Sequence, residues 1–340
     1  MESRNLFYIC SILYAIMLQR FWIIGFIVFL LGCGNPPSVQ NRDFQVAVLK
    51  GPSAISMIKM ISDGYSYNEK EAQFTIYNEP DQVKALLIRK EADIVHLPAN
   101  MAAILCNKGV SEYALAAVPV WGSLYLAGTD TSVRSVEDLR GKTVYVMARG
   151  ATPDLVFRYI LKENHIDPEK DIELDYTFNG HFELASAIIA GRASMGVISE
   201  PFVSLAASKN SVVKALIDLE KVWDLIHSDS IPMVQTAVMI KRDFLDKNRD
   251  LVKDFFKNYS EAITWLGDHH YEAGILMVMY DIVPDEEVAR NSLHRIHIHF
   301  AFARDEKEKI ERYWQILFTF NPAAIGGRLP ESRFYAEIDQ

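Results

Sequence analysis

Cysteine is scarce in this sequence and a basic tract is absent, and both features restrict the class of protein. Only 3 of the 340 residues are cysteine, and the formal net charge is −9. An acidic chain without a run of lysine and arginine is not typical of a nucleic-acid-binding protein. We expect no intrachain disulfide, because Cys10 lies in an amino-terminal segment that we expect to be removed and Cys33 is expected to be modified, which leaves Cys106 alone. We expect Cys106 to be a small buried residue on an apolar helix and not a nucleophile.

The short motifs that mark common enzyme sites are also missing. The sequence has no G-x-S-x-G, no G-x-x-x-x-G-K-[ST], no H-E-x-x-H and no G-x-G-x-x-G. Histidines occur at His294, His297 and His299 and as the pair His269 and His270, but no cysteine or carboxylate stands beside them at a metal-site spacing. Surface histidines are therefore favoured over a zinc site. We expect no catalytic residue, no metal and no cofactor, and the protein is not expected to be an enzyme.

One long apolar stretch is present, and it lies at the amino terminus. Residues 21–31 follow Arg20 and lead into Gly32 and Cys33. A basic residue, a short apolar run and then a small residue with cysteine are the order of a secretory signal that ends in a lipobox, where the Cys33 thiol receives a lipid. This order predicts an exported protein that is lipid-anchored to the outer face of the cytoplasmic membrane or in the periplasm-facing envelope. Residues 1–32 are predicted as signal peptide and 33–43 as tether.

A plain transmembrane anchor is the alternative for the same stretch. It is disfavoured because Arg20 interrupts the roughly 20 continuous apolar residues that a span needs. Translation from Met17 would give the signal an ordinary basic start, so the position of the first residue stays open.

The remainder of the chain repeats one strand–loop–helix pattern about a hundred residues apart. A short buried strand, a glycine-containing loop and an amphipathic helix open each copy, and a second helix and strand follow. This alternation predicts an α/β fold with two related lobes. The strands are predicted at 44–49, 92–97, 143–147 and 193–198, and the helices at 54–61, 81–90, 155–161 and 182–190.

Two further strands, 123–127 and 235–241, are predicted to connect the lobes. Lobe one then comprises residues 44–126 and 235–340, and lobe two, residues 127–234, is inserted into it. The last third of the chain is predicted to be mostly helical and to pack on lobe one, with helices at 251–266, 271–280 and 305–320.

Four segments, in this order, carry a resemblance to a known family: VAVLKGPSAISMIKM, ADIVHLPANMAAIL, VRSVEDLRGKTVYVMARGATPDL and MGVISEPFVSLA. Over about residues 44–335 the chain resembles the extracytoplasmic solute-binding proteins of ABC importers. The branch is the nitrate/sulfonate/taurine type, which also includes binders of thiamine-pyrimidine precursors. The resemblance implies a two-lobed periplasmic-binding-protein-like (type II) fold, in which each lobe is a mixed sheet flanked by helices. It also implies two crossing strands as hinge and a ligand held in the cleft.

Ligands of open α/β sheets bind beyond the carboxyl ends of the strands, and four loops are predicted there. Two of these loops precede helices, whose free N–H groups favour an anionic or acceptor-rich group. Hydroxyls, an amide, a carboxylate and aromatic rings add to the predicted site. The candidate ligand-binding residues are Gly51, Pro52, Ser53, Ala54, Asn100, Trp121, Gly150, Ala151, Thr152, Glu200, Phe202 and Gln235.

Five of these side chains also have a structural alternative. Ser53, Thr152 and Asn100 could cap their own helices, and Glu200 could be a first-turn carboxylate that a helix dipole favours. Trp121 could be an ordinary packing residue at the hinge. An anion clamp by Lys50 and Arg149 is disfavoured because loop cations are usually solvated.

The sequence thus predicts a lipid-anchored, monomeric solute-binding component of an ABC importer. It would capture a small solute, a sulfonate, an oxyanion or a pyrimidine-like compound, between two lobes and deliver it to a membrane permease. The alternatives are an enzyme of the same fold that acts on a small heterocycle or carboxylate, and a ligand-sensing lobe of a signalling system.

Overall fold

The structure, a computed structural model, describes residues 43–147, 149–228 and 230–338. The predicted signal peptide, the lipidation residue Cys33 and nearly all of the predicted tether lie outside these ranges. Within them, no helix is both long enough and apolar enough to cross a membrane.

The described residues form twelve strands and twelve α-helices. The strands are β1 Phe44–Leu49, β2 Ser66–Tyr67, β3 Lys70–Tyr77, β4 Ile94–Pro98, β5 Tyr113–Gly122, β6 Leu124–Gly128, β7 Thr143–Val146, β8 Glu173–Asp175, β9 Met195–Ser199, β10 Lys214–Asp218, β11 Thr236–Lys241 and β12 His297–Phe302. The helices are α1 Pro52–Asp63, α2 Pro80–Arg89, α3 Ala99–Asn107, α4 Thr152–Glu163, α5 His181–Ile189, α6 Phe202–Lys209, α7 Leu219–His227, α8 Arg242–Lys247, α9 Arg249–Asp268, α10 His270–Met279, α11 Glu286–Leu293 and α12 Lys307–Phe320.

The strands form two mixed sheets. The first has the order β12-β5-β11-β4-β1-β3-β2, and the second has the order β10-β6-β9-β7-β8. In the first sheet β1 runs parallel to both β3 and β4, and in the second β7 runs parallel to both β8 and β9. Each sheet then adds an antiparallel strand beside its third parallel strand: β11 beside β4, and β6 beside β9. The two sheets therefore share one topology, and the α/β fold class is confirmed.

We name the two parts of the described chain by their sheets. The first half is residues 43–122 and 235–338, and the second half is residues 123–234. The chain crosses from one sheet to the other at Ser123, which is the single residue between β5 and β6, and returns at Gln235, just before β11. The predicted lobe bounds stay a prediction, although the strands of the two sheets follow the same discontinuous order.

The largest core cluster includes residues of both halves. In it, Trp223 of α7 lies 5.6 Å from Tyr313 of α12 and Tyr159 of α4 lies 5.7 Å from Phe320, both measured between ring centroids. Helix α12 therefore packs on both halves. The prediction that the carboxy-terminal helices pack on lobe one stays a prediction, and this helix also contacts apolar residues of the second half.

Several strands were not predicted from the sequence, for two reasons. β5 is buried at every position, so it shows no alternation. β3 carries the polar residues Lys70, Glu71 and Gln73, because alternate positions on this strand near the sheet edge stay exposed. Cys106 is half-buried and not fully buried as predicted, and burial raises the pKa of its thiol.

Candidate functional site

The amino terminus of α1 lies at the carboxyl end of β1 and is uncapped by any side chain. Gly51 is the N-cap residue with φ of 104°, a left-handed conformation that favours glycine. Pro52 opens the helix, and its first turn has no acidic residue. Ser53 and Ala54 follow and are buried. Because the first N–H groups of a helix lack intrahelical acceptors, this turn presents donors and a positive dipole end.

The amino terminus of α4 is arranged differently. Gly150, with φ of 80°, precedes the N-cap Ala151, and Asp154 stands in the first turn. The Asp154 carboxylate accepts hydrogen bonds from the Gly150 N–H and the Tyr176 hydroxyl, both at 2.7 Å. No side chain caps this helix either, but the carboxylate places a negative charge in its first turn, which disfavours a bound anion there.

Asn100 links the two halves. Its amide donates to the Gly150 carbonyl at 3.0 Å, and its Oδ1 accepts from the Thr152 hydroxyl at 2.8 Å. Helix α3 begins at Ala99 with Pro98 as N-cap, so Asn100 does not cap it. Ser53 and Thr152 likewise lie inside the first turns of their helices, so the capping alternative does not apply to any of the three.

Ser53 and Gln235 make polar contacts near the return crossing. The Ser53 Oγ lies 3.3 Å from Thr236 Oγ1, and both side chains are buried. The Gln235 side chain lies within 3.0 Å of the Ser123 hydroxyl, so the outward and return crossings are tied together. Trp121 donates from Nε1 to the His299 carbonyl at 2.8 Å, which makes it a packing residue between β5 and β12.

Glu200 is fully buried and is held by two neighbours. Its carboxylate accepts from the Ser204 N–H and hydroxyl, both at 3.0 Å, and lies 3.3 Å from Arg295 Nη1 of the first half. Glu200 lies before the N-cap Pro201 and not in the first turn of α6, but its contact to Ser204 satisfies an N–H of that turn. Burial raises the pKa of Glu200 against the opposing effects of Ser204 and Arg295.

Phe202 approaches α1 from the second half. A Cβ atom placed on Gly51 would lie 3.9 Å from the Phe202 ring. The His181 ring stacks on the Phe202 ring, with the two ring centroids 5.3 Å apart and the ring planes 2° from parallel. His181 Nδ1 accepts from the Ser199 N–H at 3.2 Å, so the proton of a neutral ring is assigned to Nε2. The ring is enclosed although the residue is half-exposed, and this burial lowers the pKa of His181 to about 4.

Sequence reasoning missed His181 and the loop that carries it. Tyr77, Asn78 and Glu79 precede α2, and Phe178, Asn179 and Gly180 precede α5. A Cβ atom placed on Gly180 would lie 3.9 Å from Glu79 Oε1, so the two loops are neighbours. The repeated aromatic–asparagine pair was a signal for this third pair of loops, but β3 was not recognised and the loop after it was not placed at the sheet edge.

The two loop cations each have a partner within the chain. Lys50 Nζ lies 2.9 Å from Asp281 Oδ2, and the Arg149 guanidinium lies 5.0 Å from the centre of the Tyr176 ring. The rings of His270 and His294 lie 4.7 Å apart between centroids, but in the part of the chain that the structure describes no three histidine, cysteine or carboxylate side chains are arranged to hold a metal ion.

Taken together, loops of both sheets meet at one place. The uncapped turn of α1 faces Phe202 and His181 there, and Asn100 meets Gly150 and Thr152 beside it. Such an arrangement suits the binding of a small anionic or acceptor-rich molecule whose apolar or planar part contacts aromatic rings.

Comparison with known proteins gives the same type of fold and a family. The family described as "ABC transporter, phosphonate, periplasmic substrate-binding protein" matches residues 66–281. A curated protein of Bacillus subtilis (strain 168), named "Putative binding protein YtlA", is 25% identical over 223 residues, which are 64% of this chain. The chain spans 62% of the length of that relative.

Two solved structures share the fold over most of the chain. The crystal structure of an ABC transporter from Parabacteroides distasonis is 30% identical and covers 87% of this chain and 99% of its own, with a TM-score of 0.75. The periplasmic aliphatic sulphonate binding protein SsuA from Escherichia coli is 15% identical and covers 88% of this chain and 93% of its own, with a TM-score of 0.70.

Proposed function

Because the chain belongs to the family of periplasmic substrate-binding proteins of phosphonate ABC transporters, we propose that it captures a small anionic solute between its two halves for an ABC importer. The observation that carries the proposal is the uncapped first turn of α1 opposite Phe202 and His181 of the second half. A solute that touched both sides would favour the arrangement in which the halves meet, and this is the population shift that a binding protein needs.

The chemistry of the two sides suggests the class of solute. N–H groups at a helix terminus match the oxygens of a phosphonate or sulfonate, which are the solutes in the names of the family and of the sulphonate binding protein. The stacked rings of His181 and Phe202 suit an apolar or planar substituent. A pyrimidine-like solute is the second candidate, since the stacked His181 and Phe202 rings offer an aromatic surface to a planar heterocycle.

In this proposal some of the candidate ligand-binding residues contact the solute, and the others hold the surrounding structure in position. Gly51, Pro52, Ser53, Ala54 and Phe202 surround the proposed solute. Asn100, Gly150, Ala151 and Thr152 join the halves next to it, whereas Glu200, Trp121 and Gln235 hold the second half and the crossings in position.

Export, the lipid and the partners complete the proposal. Processing at Cys33 would tether the protein to the membrane, where a nearby binding protein meets its permease at a raised effective concentration. A monomer suffices for this cycle. Mass spectrometry of the protein from bacterial membranes tests the anchor: we expect a diacylglyceryl-modified Cys33 at the mature amino terminus, and an unprocessed chain would contradict it.

A thermal-shift screen of the purified, ligand-free protein tests the solute class. Phosphonates, sulfonates, small oxyanions and pyrimidines are compared, because binding to the folded state stabilises it by about 2.7 kcal/mol at a hundredfold excess over Kd. A rise of the melting temperature with phosphonates or sulfonates supports the proposal. A rise with pyrimidines alone would replace the solute class, and conversion of a compound to product would favour the enzyme alternative.

A further inference from the structure

We propose that residues 295–297 form a clasp across the hinge, in which His297 is a proton-dependent positioning residue that favours the arrangement of the structure through Glu220. The inference concerns regulation of the proposed solute site and rests on the proposed function for its biological purpose. The clasp itself is argued from contacts between the halves that require no solute.

A side chain at Gly122 would not fit at the hinge, because the Glu220 carboxylate lies against this glycine. Gly122 ends β5 immediately before the crossing residue Ser123. A Cβ atom placed on Gly122 would lie 2.1 Å from the carboxylate carbon of Glu220. Glu220 belongs to the first turn of α7 in the second half, so a nearly buried carboxylate of one half rests on the backbone where the chain crosses from the other.

His297 closes this contact from the first half. It is paired in register with Gly122, at the start of β12, and its Nδ1 lies 2.5 Å from Glu220 Oε1. Two residues earlier, Arg295 reaches the buried carboxylate of Glu200, and its carbonyl accepts from the Tyr125 hydroxyl at 3.1 Å. One short segment of the first half thus holds two carboxylates and a tyrosine of the second.

The charged groups with the largest effect on His297 are carboxylates. The carboxylates that face the imidazole are those of Glu220 and Asp224 in α7 and of Asp218, the N-cap residue of that helix. The register partner of His297 on β5 is an uncharged glycine. The hydrogen bond to Glu220, followed by the field of the three carboxylates, raises the pKa of His297. A raised pKa means that the halves gain stability from this contact below the ordinary histidine pKa and lose it as the pH rises through the raised value.

The test measures the separation of the halves in purified, ligand-free protein. Small-angle X-ray scattering from about pH 5.5 to about pH 8.5 covers the range in which histidine titrates. We expect the radius of gyration of the wild-type protein to increase as the pH rises. His297→Gln should abolish the pH dependence and hold the larger value. His297→Lys should also abolish it but hold the smaller value, because its charge persists through this range.

A matched control uses a different ion pair between the halves, which joins α6 to the first half. Lys209 Nζ lies 3.4 Å from Asp285 Oδ2, and this ion pair contains no histidine. Lys209→Gln should therefore keep the pH profile of the wild type. A wild-type profile without pH dependence, or one that persists in His297→Gln, would overturn the inference. Because no solute is added, this outcome is independent of whether the thermal-shift screen finds one.

Discussion

The helices α1 and α4 follow the first parallel strand of their sheets, and their amino termini differ in one respect that matters for binding. Both follow a glycine with positive φ and carry proline at the first or second helical position. The first turn of α1 has no acidic residue, whereas Asp154 of α4 already accepts from the Gly150 N–H. A repeated fold therefore does not give a repeated site: neither helix has a side-chain cap, but the Asp154 carboxylate at α4 disfavours an anion, and the first turn of α1 has no such charge.

Introducing a carboxylate into the first turn of α1 would make it resemble α4, and we expect this change to have the largest effect on solute affinity. Ser53→Asp places a negative charge beside the proposed anion, as Asp154 does in α4. Juxtaposed like charges cost several kcal/mol, and about 3 kcal/mol corresponds to a loss of affinity of roughly a hundredfold. Calorimetric titration with the solute found by thermal shift measures the loss.

Ser53→Ala and Asp154→Asn are the controls for this prediction. The first removes only a hydroxyl and should weaken binding much less than Ser53→Asp does. The second removes the negative charge at the amino terminus of α4 and should leave the affinity nearly unchanged. A Ser53→Asp protein that binds the anionic solute as the wild type does would refute an anion site at α1.

The second prediction separates contacts between the halves from contacts within one half. Asn100→Ala removes hydrogen bonds to Gly150 and Thr152 of the second half and leaves buried groups without partners, at a cost of about 2–3 kcal/mol. Asn107, on the same helix, donates to the Ile325 and Arg328 carbonyls at 2.6 and 2.7 Å, both in the first half.

Denaturant unfolding and solute titration distinguish the two variants. Asn107→Ala should lower the free energy of unfolding without a change in solute affinity beyond that loss of stability. Asn100→Ala should lower both, since the bound state requires the halves to meet. Equal effects of the two variants on affinity would contradict a linking role for Asn100.

The third prediction compares the third residues of β4 and β9, which are His96 and Val197. His96 is fully buried, and among the described residues neither of its ring nitrogens has a hydrogen-bond partner. Burial lowers the pKa of His96 to about 3. The unfolded chain takes up a proton below the ordinary histidine pKa and the folded chain does not, so stability is lost as the pH falls from that value towards about 3.

Replacing His96 by the valine of the other half should remove this loss. At pH 5 the difference amounts to about 2 kcal/mol, from 1.36 kcal/mol per pKa unit. Urea unfolding of His96→Val and of the wild type at pH 7 and pH 5 measures it, and His181 leaves some acid sensitivity in both proteins. A parallel decrease in the two proteins would show that His96 does not titrate on unfolding.

Local patterns were sufficient to predict the alternation of strands and helices and the repetition of the βαβ unit. Val46, Val48 and the helix that begins at Pro52 have the short apolar run, the breaker and the periodicity that define such a unit. β5 was missed because a central strand buried on both faces has no alternation, and its pairing with β11 and β12 joins segments far apart in the chain.

The partners of the site residues could not be predicted from the sequence, for a related reason. The sequence predicts that the Asn100 amide lies near a ligand. In the structure this amide binds Gly150 and Thr152 instead, and these contacts form only because two distant segments of the chain meet. Asp154 is an ordinary first-turn carboxylate in the sequence, and its contact with the Gly150 N–H and Tyr176 depends on the fold. The stacking of His181 on Phe202 likewise requires α5 and α6 to be adjacent.

Hydrogen–deuterium exchange with and without the solute identified by thermal shift tests most directly whether the solute binds between the halves. The account predicts slower exchange of backbone amides in two separate segments at once, residues 53–56 of α1 in the first half and residues 199–204 around Phe202 in the second. Protection confined to one half, with binding confirmed by calorimetry, would contradict capture between the two.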